Sequence, residues 1–410
     1  MSGNSVAHAV YAGIDTHKDF HVAAVVDHLG RLLDTFTAAT TVAGYRTLLQ
    51  WITSFGDVDR IGVEGTGSYG VAITRLLRDR ELEVVEVNRP NRQMRRLRGK
   101  TDAVDAEAAA RAALAGAAAA VPKSHDGAIE SIRLLRVTLT GLRKCSTALT
   151  NSLRNIIVGA PPELRDQLEP MTIGTLLHHC SSFRVPAGAP TDARVAVRST
   201  LRSLSRQILF QQHEMDRLRS ELTELVRRVN PSLLAAPGIG VDSASTLLVT
   251  AGDNPERLHS EASFAALCGV SPIEASSGKH TRHRLNRGGD RQANNALWRI
   301  ALIRSSSDER TRTYVARRTA EGKSPREIRR CLKRHIAREV YTLLVHPQSV
   351  PGTDDLRPLR HRVGLSMQSC ADHFAVSLTT ISRTERAIKP NHQFASRYRE
   401  WLTGQLADSA

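Results

Sequence analysis

The chain has 410 residues, of which 41% are hydrophobic, 24% are charged and only 4% are aromatic. This composition excludes a disordered or fibrous protein and leaves room for roughly two to four domains with cores of Leu, Val, Ile and Ala. A net charge of +16 predicts a polyanionic partner, most often nucleic acid, and no run of residues predicts a membrane span.

The five cysteines are scattered along the chain and include no C-x-x-C pair. This spacing favours a reducing compartment and argues against a disulfide framework or a zinc site. The N-terminal residues carry no secretion signal. We therefore expect a cytoplasmic protein.

Residues 8–120 alternate between strand and helix patterns. Three short strands come first, with the sequences YAGID, HVAAVVD and LLDTFTA. A helix over residues 42–54, a strand RIGVEG, a helix YGVAITRLLRDR and a strand LEVVEVN follow. The segment ends in the helix KTDAVDAEAAARAAL, with Thr101 as its N-cap. This order predicts an α/β domain of the ribonuclease-H-like (RuvC-like) class.

Residues 121–230 lose the strand signals and predict a long helical, coiled-coil region that connects two domains. Helical spacing covers residues 129–158, and the looser segment VPAGAP follows at 185–190. Apolar residues then recur at alternating steps of three and four, the spacing of a coiled-coil seam. The seam consists of Leu201, Leu204, Ile208, Gln211, Met215, Leu218, Leu222, Leu225 and Val229. It predicts either an antiparallel helical hairpin within one chain or an arm for dimerisation.

Residues 231–347 predict an all-α domain. Its first stretch, LLAAPGIGVDSASTLL, resembles a helix-hairpin-helix element, in which Gly238 and Gly240 let backbone N–H groups approach a phosphate. From Ser276 to Val345 there are 18 lysines and arginines against 6 aspartates and glutamates. This concentration of positive charge favours a phosphate-binding surface over a set of solvated helix faces.

Residues 355–404 predict a small helical tail. The sequence HRVGLSMQSCADHFAVSLTTISRTERAI resembles a repressor-type helix-turn-helix, whose second helix turns Thr379, Thr380 and Arg383 outward. We interpret the tail as a DNA-binding unit rather than a plain helical cap.

Four acidic residues of the α/β domain predict a metal site. Asp15 follows a buried strand, Glu64 ends another, and Asp102 and Asp105 lie three apart on one helix face. In a ribonuclease-H-like arrangement these elements converge on one sheet edge. Carboxylates packed together repel one another unless divalent cations neutralise them, and hard oxygen ligands suit Mg²⁺. Two such ions can position the groups exchanged at phosphorus. Each acid also has an ordinary structural interpretation, such as a favourable helix-dipole contact for Asp102.

Several of these segments resemble one known family. GIDTHKDFHV, GVEGTGSYG and KTDAVDAEAAAR resemble the three acidic motifs of the DEDD transposases of insertion-sequence family one hundred and ten, to which the Piv-type DNA invertases are related. LAAPGIGVDSASTLL and FAALCGVSPIEASSGKHTRHRLNRGGDRQANNALW resemble the second domain of these transposases. The resemblance covers residues 10–345, so the helix-turn-helix-like tail is an addition to the family pattern.

The resemblance implies a chemistry. Asp15, Glu64, Asp102 and Asp105 would hold Mg²⁺, with two ions per site. A serine in EASSGKH would form a covalent link to DNA. The match points to Ser277, with the adjacent Ser276 as the alternative. The residues that would contact nucleic acid around it are Lys279, Arg282, Arg284, Arg287 and Arg291.

The resemblance also implies partners. Members of the family are guided by a structured RNA and act as homo-oligomers, so we expect DNA, a guide RNA and a dimer or tetramer. The function implied is a site-specific recombinase that excises and inserts its own insertion sequence. One alternative is a Mg²⁺-dependent nuclease or junction resolvase, which needs the acids but not Ser277. Another is a non-catalytic DNA-binding regulator, against which the complete set of acids argues.

Overall fold

The structure is a computed structural model that describes residues 9–87, 101–116, 120–278, 283–387 and 392–408. Five strands form the N-terminal sheet, in the order β3-β2-β1-β4-β5. They are β1 (Val10–Thr16), β2 (Phe20–Asp27), β3 (Leu32–Ala39), β4 (Val58–Glu64) and β5 (Val84–Val87). Strands β1 to β3 are antiparallel, whereas β4 runs parallel to β1 and β5 parallel to β4. This mixed α/β sheet is consistent with the ribonuclease-H-like arrangement predicted from the sequence.

The helices of this part of the chain begin and end close to the predicted positions. They are α1 (Val42–Thr53), α2 (Val71–Arg78) and α3 (Asp102–Leu114). Thr101 caps α3 as predicted, because its side chain accepts a hydrogen bond from the backbone N–H of Val104. The last residue of the predicted strand LEVVEVN, Asn88, lies outside the described residues.

The two faces of β1 pack against different neighbours because side chains alternate along a strand. Ala12 and Ile14 face a core that includes Leu48 and Ile52 of α1. The other face carries Gly13 and Asp15. Helix α3 packs on this second face. Asp15, the next residue after Gly13 on the same face, therefore lies beside the start of α3.

Helix α3 approaches the sheet so closely that only glycine fits beneath it. A Cβ atom placed on Gly13 would lie 2.1 Å from the carbonyl oxygen of Ala106, and one on Gly62 of β4 would lie 2.5 Å from that of Ala109. The helix side of this contact consists of alanines, including Ala106, Ala109 and Ala110, all of them buried. Small residues on both sides therefore set the position of α3.

We expect Gly13→Ala to lower the free energy of unfolding by about 1–3 kcal/mol, because the added methyl group overpacks this contact. Chemical denaturation monitored by circular dichroism measures the change. Gly67→Ala is the matched control, since a Cβ at Gly67 meets no atom within 4 Å. Equal stability of the two variants would contradict the close approach of α3.

A long antiparallel helical hairpin dominates the middle of the chain. Its arms are α4 (Ala128–Val158) and α7 (Ala193–Val229), and two short helices, α5 (Pro162–Leu168) and α6 (Ile173–Ser181), lie between them in sequence. Leu201 and Ile208 pack with Leu153 and Ile157 near the end of α4. Gln211, the polar residue of the heptad seam, donates a hydrogen bond to Sγ of Cys145 at 3.1 Å. The first part of the seam of α7 thus packs against α4 of the same chain.

Among the described residues of the C-terminal half, the regular structure is helical apart from one pair of short strands. Its first helices are α8 (Pro231–Ala235), α9 (Val241–Ala251), a 3₁₀ helix (Pro255–Leu258) and α10 (Glu261–Leu267). Strands β6 (Ile273–Glu274) and β7 (His283–Arg284) pair antiparallel. The remaining helices are α11 (Arg291–Ser307), α12 (Glu309–Ala320), α13 (Pro325–Val345), α14 (Leu356–Val363), α15 (Met367–Phe374), α16 (Leu378–Glu385) and α17 (His392–Asp408).

The chain divides into two compact units, Met1–Gly127 with Ala251–His259 and Ala128–Thr250 with Ser260–Ala410. Within the first unit, Asn254 joins the two segments by donating to the carbonyl of Pro122 at 2.9 Å and accepting from the N–H of Ser124 at 3.2 Å. The finer division into four domains stays a prediction. None of the helices in the described part of the chain is long and apolar enough to cross a membrane. All five cysteines are free thiols.

Candidate metal centre and nucleic-acid surfaces

The carboxyl ends of β1 and β4 form the edge where the predicted acids meet. The parallel register pairs Gly13 with Gly62 and Ile14 with Val63. Continued by one residue, it sets Asp15 and Glu64 side by side on the face that α3 covers. The hydroxyl of Thr16 donates to the carbonyl of Glu64 at 2.8 Å and holds the two strand ends together.

Helix α3 supplies the other two acids from its first turn. Asp102 is its first residue, and Asp105 follows one turn later with only 4% of its surface exposed. Asp15 is 7% exposed and Asp102 is half-buried. Because α3 rests on Gly13 through the turn that follows these acids, its N-terminus lies beside Asp15.

His17 joins the acids, although the sequence reasoning did not select it. Its Nε2 lies 3.1 Å from Oδ2 of Asp15 and 3.4 Å from Oδ1 of Asp102. One ligand atom from each of these three residues lies within 4.8 Å of the other two. Asp15 and His17 are two apart on β1 and its continuation, so both side chains point to the same face. That spacing is the sequence signal that could have revealed the histidine.

The electrostatics of this cluster favour a cation. Burial raises the pKa of Asp15 above its ordinary value; His17 opposes the rise, while the neighbouring charges of Asp105 and Asp102 add to it. A carboxylate held in this way is costly to keep charged unless a positive group stands next to it. The oxygen donors of Asp15 and Asp102, with Asp105 and Glu64 close by, therefore fit a hard divalent ion such as Mg²⁺.

The predicted serine region lies at the β6–β7 hairpin. Ser276 and Ser277 lie two and three residues after the end of β6, and both are exposed. Gly278 has φ +56°, and a Cβ there would meet no atom within 4 Å. Lys279 and Arg282 lie outside the described residues. The other predicted phosphate contacts are exposed and form no ion pair with any described residue; they are Arg284, Arg287 and Arg291.

Two family models match the chain. One, for the DEDD transposases of IS110 and described as transposase, matches residues 12–162, which hold the four acids and His17. The other, described as transposase of the IS116/IS110/IS902 family, matches residues 230–316, which hold both serines. The two matches together span more than half of the chain. The chain belongs to the IS110 family of transposases.

One curated relative of this IS110-family transposase is the "Insertion element IS110 uncharacterized 43.6 kDa protein" of Streptomyces coelicolor (strain ATCC BAA-471 / A3(2) / M145). The two chains are 36% identical over 117 residues, which is 27% of this chain and 28% of the relative. The match thus spans little more than a quarter of either protein. The tail from residue 355 lies beyond both family models.

The glycine turn of this IS110-family transposase, Pro237 to Gly240, joins α8 and α9, and its assignment as a helix-hairpin-helix element stays a prediction. Gly238 has φ +70°, a conformation that favours glycine. Gly240 is exposed, and a Cβ there would meet no atom within 4 Å, so its backbone is open to a ligand. The turn thus offers an accessible backbone N–H, while phosphate binding by it stays a prediction.

Arg304, which the sequence reasoning missed, holds this turn in place. It is 7% exposed, and its Nε donates to the carbonyl of Pro237 at 2.7 Å. Its two terminal nitrogens donate to the carboxylate of Glu339 at 2.7 and 2.8 Å. A buried arginine that makes one bidentate contact with a carboxylate and one hydrogen bond to a loop carbonyl fixes the geometry of that loop. In the sequence, Arg304 is one of the 18 lysines and arginines of the basic stretch, with nothing to distinguish it.

The predicted tail residues lie on α16. Thr379 and Arg383 are exposed, as predicted, whereas Thr380 is only half-exposed. Thr380 contacts the N-cap of the helix. Its backbone N–H donates a hydrogen bond to Oγ of Ser377 at 3.2 Å, and the two hydroxyl oxygens lie 2.9 Å apart. Thr380 therefore contributes to the N-cap and has less of its side chain available for a ligand.

Proposed function

We propose that this IS110-family chain cuts and rejoins DNA strands to excise and insert an insertion sequence. The observation that supports this most is the cluster of Asp15, His17 and Asp102 at the end of β1, within the segment that matches the DEDD transposases. A buried carboxylate surrounded by further carboxylates is an unstable arrangement without a cation. The cluster therefore suits metal-assisted chemistry at phosphorus better than a purely structural role.

The acids would act by holding the metal. Asp15, Glu64, Asp102 and Asp105 supply oxygen donors, and His17 supplies one nitrogen donor beside them. When bound, Mg²⁺, proposed as two ions, supplies charge stabilisation at the phosphate that is attacked. Glu64 is held at this edge by the hydrogen bond from Thr16 to its backbone carbonyl.

Ser277 would act as the nucleophile. Its Oγ attacks the phosphorus of a DNA strand and loses its proton, and the bond from phosphorus to one deoxyribose oxygen breaks while that oxygen takes up a proton. The product is a serine phosphodiester, so the number of ester bonds is unchanged and the reverse step can rejoin a strand. The exposed position of Ser277 allows a duplex to reach it. The exposed charges of Arg284, Arg287 and Arg291 would hold the flanking phosphates.

The partners follow from the same proposal. The exposed cations and the net charge of +16 suit DNA and a structured guide RNA. Phosphate would also contact the turn at Gly238 and Gly240, and Lys279 and Arg282 would extend the basic surface. We propose that the active form is a homo-oligomer, a dimer or tetramer, working in the cytoplasm.

Removal of divalent cations is expected to abolish strand cleavage by the full chain. Purified protein would be incubated with labelled duplexes that carry the ends of its element and with the RNA transcribed from the flanking DNA. Chelation by EDTA should remove all cleavage, and added Mg²⁺ should restore it, because the acids cannot stabilise the attacked phosphate alone. Cleavage that persists in EDTA would refute the metal mechanism.

A further inference from the structure

The C-terminal helices α14 to α17 have a hydrophobic core of their own. Its buried members are Leu356, Cys370, Ala371, Ile381, Phe394, Ala395, Tyr398 and Leu402. At its centre Phe374 meets the rings of Phe394, Tyr398 and Trp401 edge-on, at centroid distances of 5.3–5.8 Å. These helices lie beyond both segments that match the transposase family. The match to the family therefore gives no function for this unit.

Two helices of this unit meet in a short turn. Helix α15 begins after Ser366, which caps it, and ends before Ala375, which has φ +50°. Ser377 caps α16 in turn, so only three residues lie between the helices. A turn of this length is the one that the helix-turn-helix element uses, and in that element the second helix enters the major groove of DNA.

Helix α16 has one buried and one exposed stripe. Ile381, Thr384 and Glu385 are buried against the core. Thr379, Arg383 and Arg386 follow at spacings of four and three residues on the opposite side, and all three are exposed. Leu378, the first residue of the helix, is 44% exposed and adds an apolar side chain to this surface.

A buried ion pair locks α16 in this orientation. Nε and Nη2 of Arg360 on α14 donate to the carboxylate of Glu385 at 2.7 and 3.1 Å. The hydroxyl of Tyr398 on α17 donates to the same carboxylate at 2.9 Å. Arg360 is 5% exposed and Glu385 is 7% exposed. The last residue of α16 is therefore tied to both flanking helices, and the exposed stripe is presented on a rigid support.

The charge of the exposed surface suits a polyanion. The exposed arginines of the unit form no ion pair with any described residue; they are Arg357, Arg362, Arg383, Arg386 and Arg397. Arg397 lies 5.9 Å from the ring centroid of Phe374, so it stands at the turn between α15 and α16. The ion pair of Arg399 with Asp355 involves none of these five arginines.

We propose that helices α14 to α17 form a DNA-binding unit that recognises a specific sequence of duplex DNA and that is separate from the catalytic residues. Arg383 would donate both terminal nitrogens to a guanine edge, Thr379 and Leu378 would contact neighbouring bases including a thymine methyl group, and Arg386 would bind a phosphate. The deep, narrow major groove of an RNA stem does not admit a helix, which favours duplex DNA over RNA as the occupant. This unit would bind the protein to one DNA sequence without a guide RNA.

Selection from random duplexes tests this with the full chain, without divalent cations so that no strand is cut. The wild-type chain should enrich one short motif. Arg383→Ala should weaken binding of that duplex by tenfold or more and change binding of a scrambled duplex by less than threefold, because a base contact discriminates and a phosphate contact does not. Arg194→Ala, which removes one exposed charge on α7, is the matched control and should bind both duplexes like the wild type.

Three outcomes would overturn the proposal. They are the absence of any enriched motif, equal binding by the Arg383→Ala and Arg194→Ala chains, and full competition by a structured RNA at the concentration of the selected duplex. Asp102→Asn separates this inference from the proposed recombination chemistry. That variant should lose strand cleavage and keep the selected motif, so either proposal can fail without the other. Circular dichroism of each variant checks that the fold is intact.

Discussion

Asp15→Asn is expected to lower the rate of DNA strand cleavage by more than about 100-fold. This decrease is larger than the one expected when a residue that only hydrogen-bonds to a metal ligand is lost. Asparagine keeps the shape of the side chain but removes the charge that would bind the cation. The same change should raise the melting temperature of the metal-free protein, because a buried charge next to Asp102 and Asp105 disappears. It should also remove the stabilisation that Mg²⁺ gives to the wild type. Cleavage assays and thermal unfolding with and without Mg²⁺ measure the three effects.

Asp34→Asn is the matched control for this prediction. Asp34 lies on β3 of the same sheet and is exposed, so its loss of charge should change neither cleavage nor the response to Mg²⁺. A metal centre at this edge predicts that only the Asp15 variant loses the response. If Mg²⁺ stabilises the Asp15 variant as strongly as the wild type, the cation binds elsewhere.

Ser277→Ala is expected to abolish the covalent protein–DNA adduct and to lower recombination by about four orders of magnitude or more, as the loss of other serine nucleophiles does. The hydroxyl is the atom that forms the new ester, and alanine offers no substitute. The side chain is exposed, so its removal should leave the melting temperature within about 1 °C of the wild type. Denaturing gel electrophoresis of reactions with end-labelled DNA detects the adduct directly.

Ser276→Ala serves as the control, because Ser276 is the adjacent exposed serine in the same turn. Adduct formation by the Ser276 variant together with its loss in the Ser277 variant would assign the nucleophile. The reverse pattern would move the role to Ser276. Undiminished strand cutting by both variants, with no adduct in any reaction, would support a metal-dependent nuclease or junction resolvase instead.

The secondary structure of the N-terminal sheet could be predicted from the sequence because its signals are local. Short apolar runs predicted β1 and β2, helical spacing predicted α1, and a segment rich in Ala and Glu predicted α3. Thr101 was predicted as the cap of α3, and the structure confirms it. The heptad spacing of α7 also predicted a helix, but the spacing does not identify the helix against which the seam packs. The packing of Leu201 and Ile208 with residues of α4 identifies that helix.

The candidate site was only partly predictable. The four acids could be chosen because each stands at the end of a strand or the start of a helix. His17 was missed because its two-residue spacing from Asp15 indicates only a shared strand face, whereas its role depends on the distances of its Nε2 from Asp15 and Asp102, 3.1 and 3.4 Å. Arg304 and the pair of Arg360 with Glu385 were missed for the same reason. Their partners are 35 and 25 positions away in the chain.

The sequence by itself determined where the elements lie, how the charge is distributed and which side chains could do chemistry, because these depend on near neighbours along the chain. The tertiary structure alone decided which of those side chains meet. Gly13 and Gly62 let α3 come within contact of the sheet, and this close approach carries Asp102 and Asp105 to Asp15. A distance between residues that are far apart in sequence is set by packing, and packing depends on both surfaces that touch.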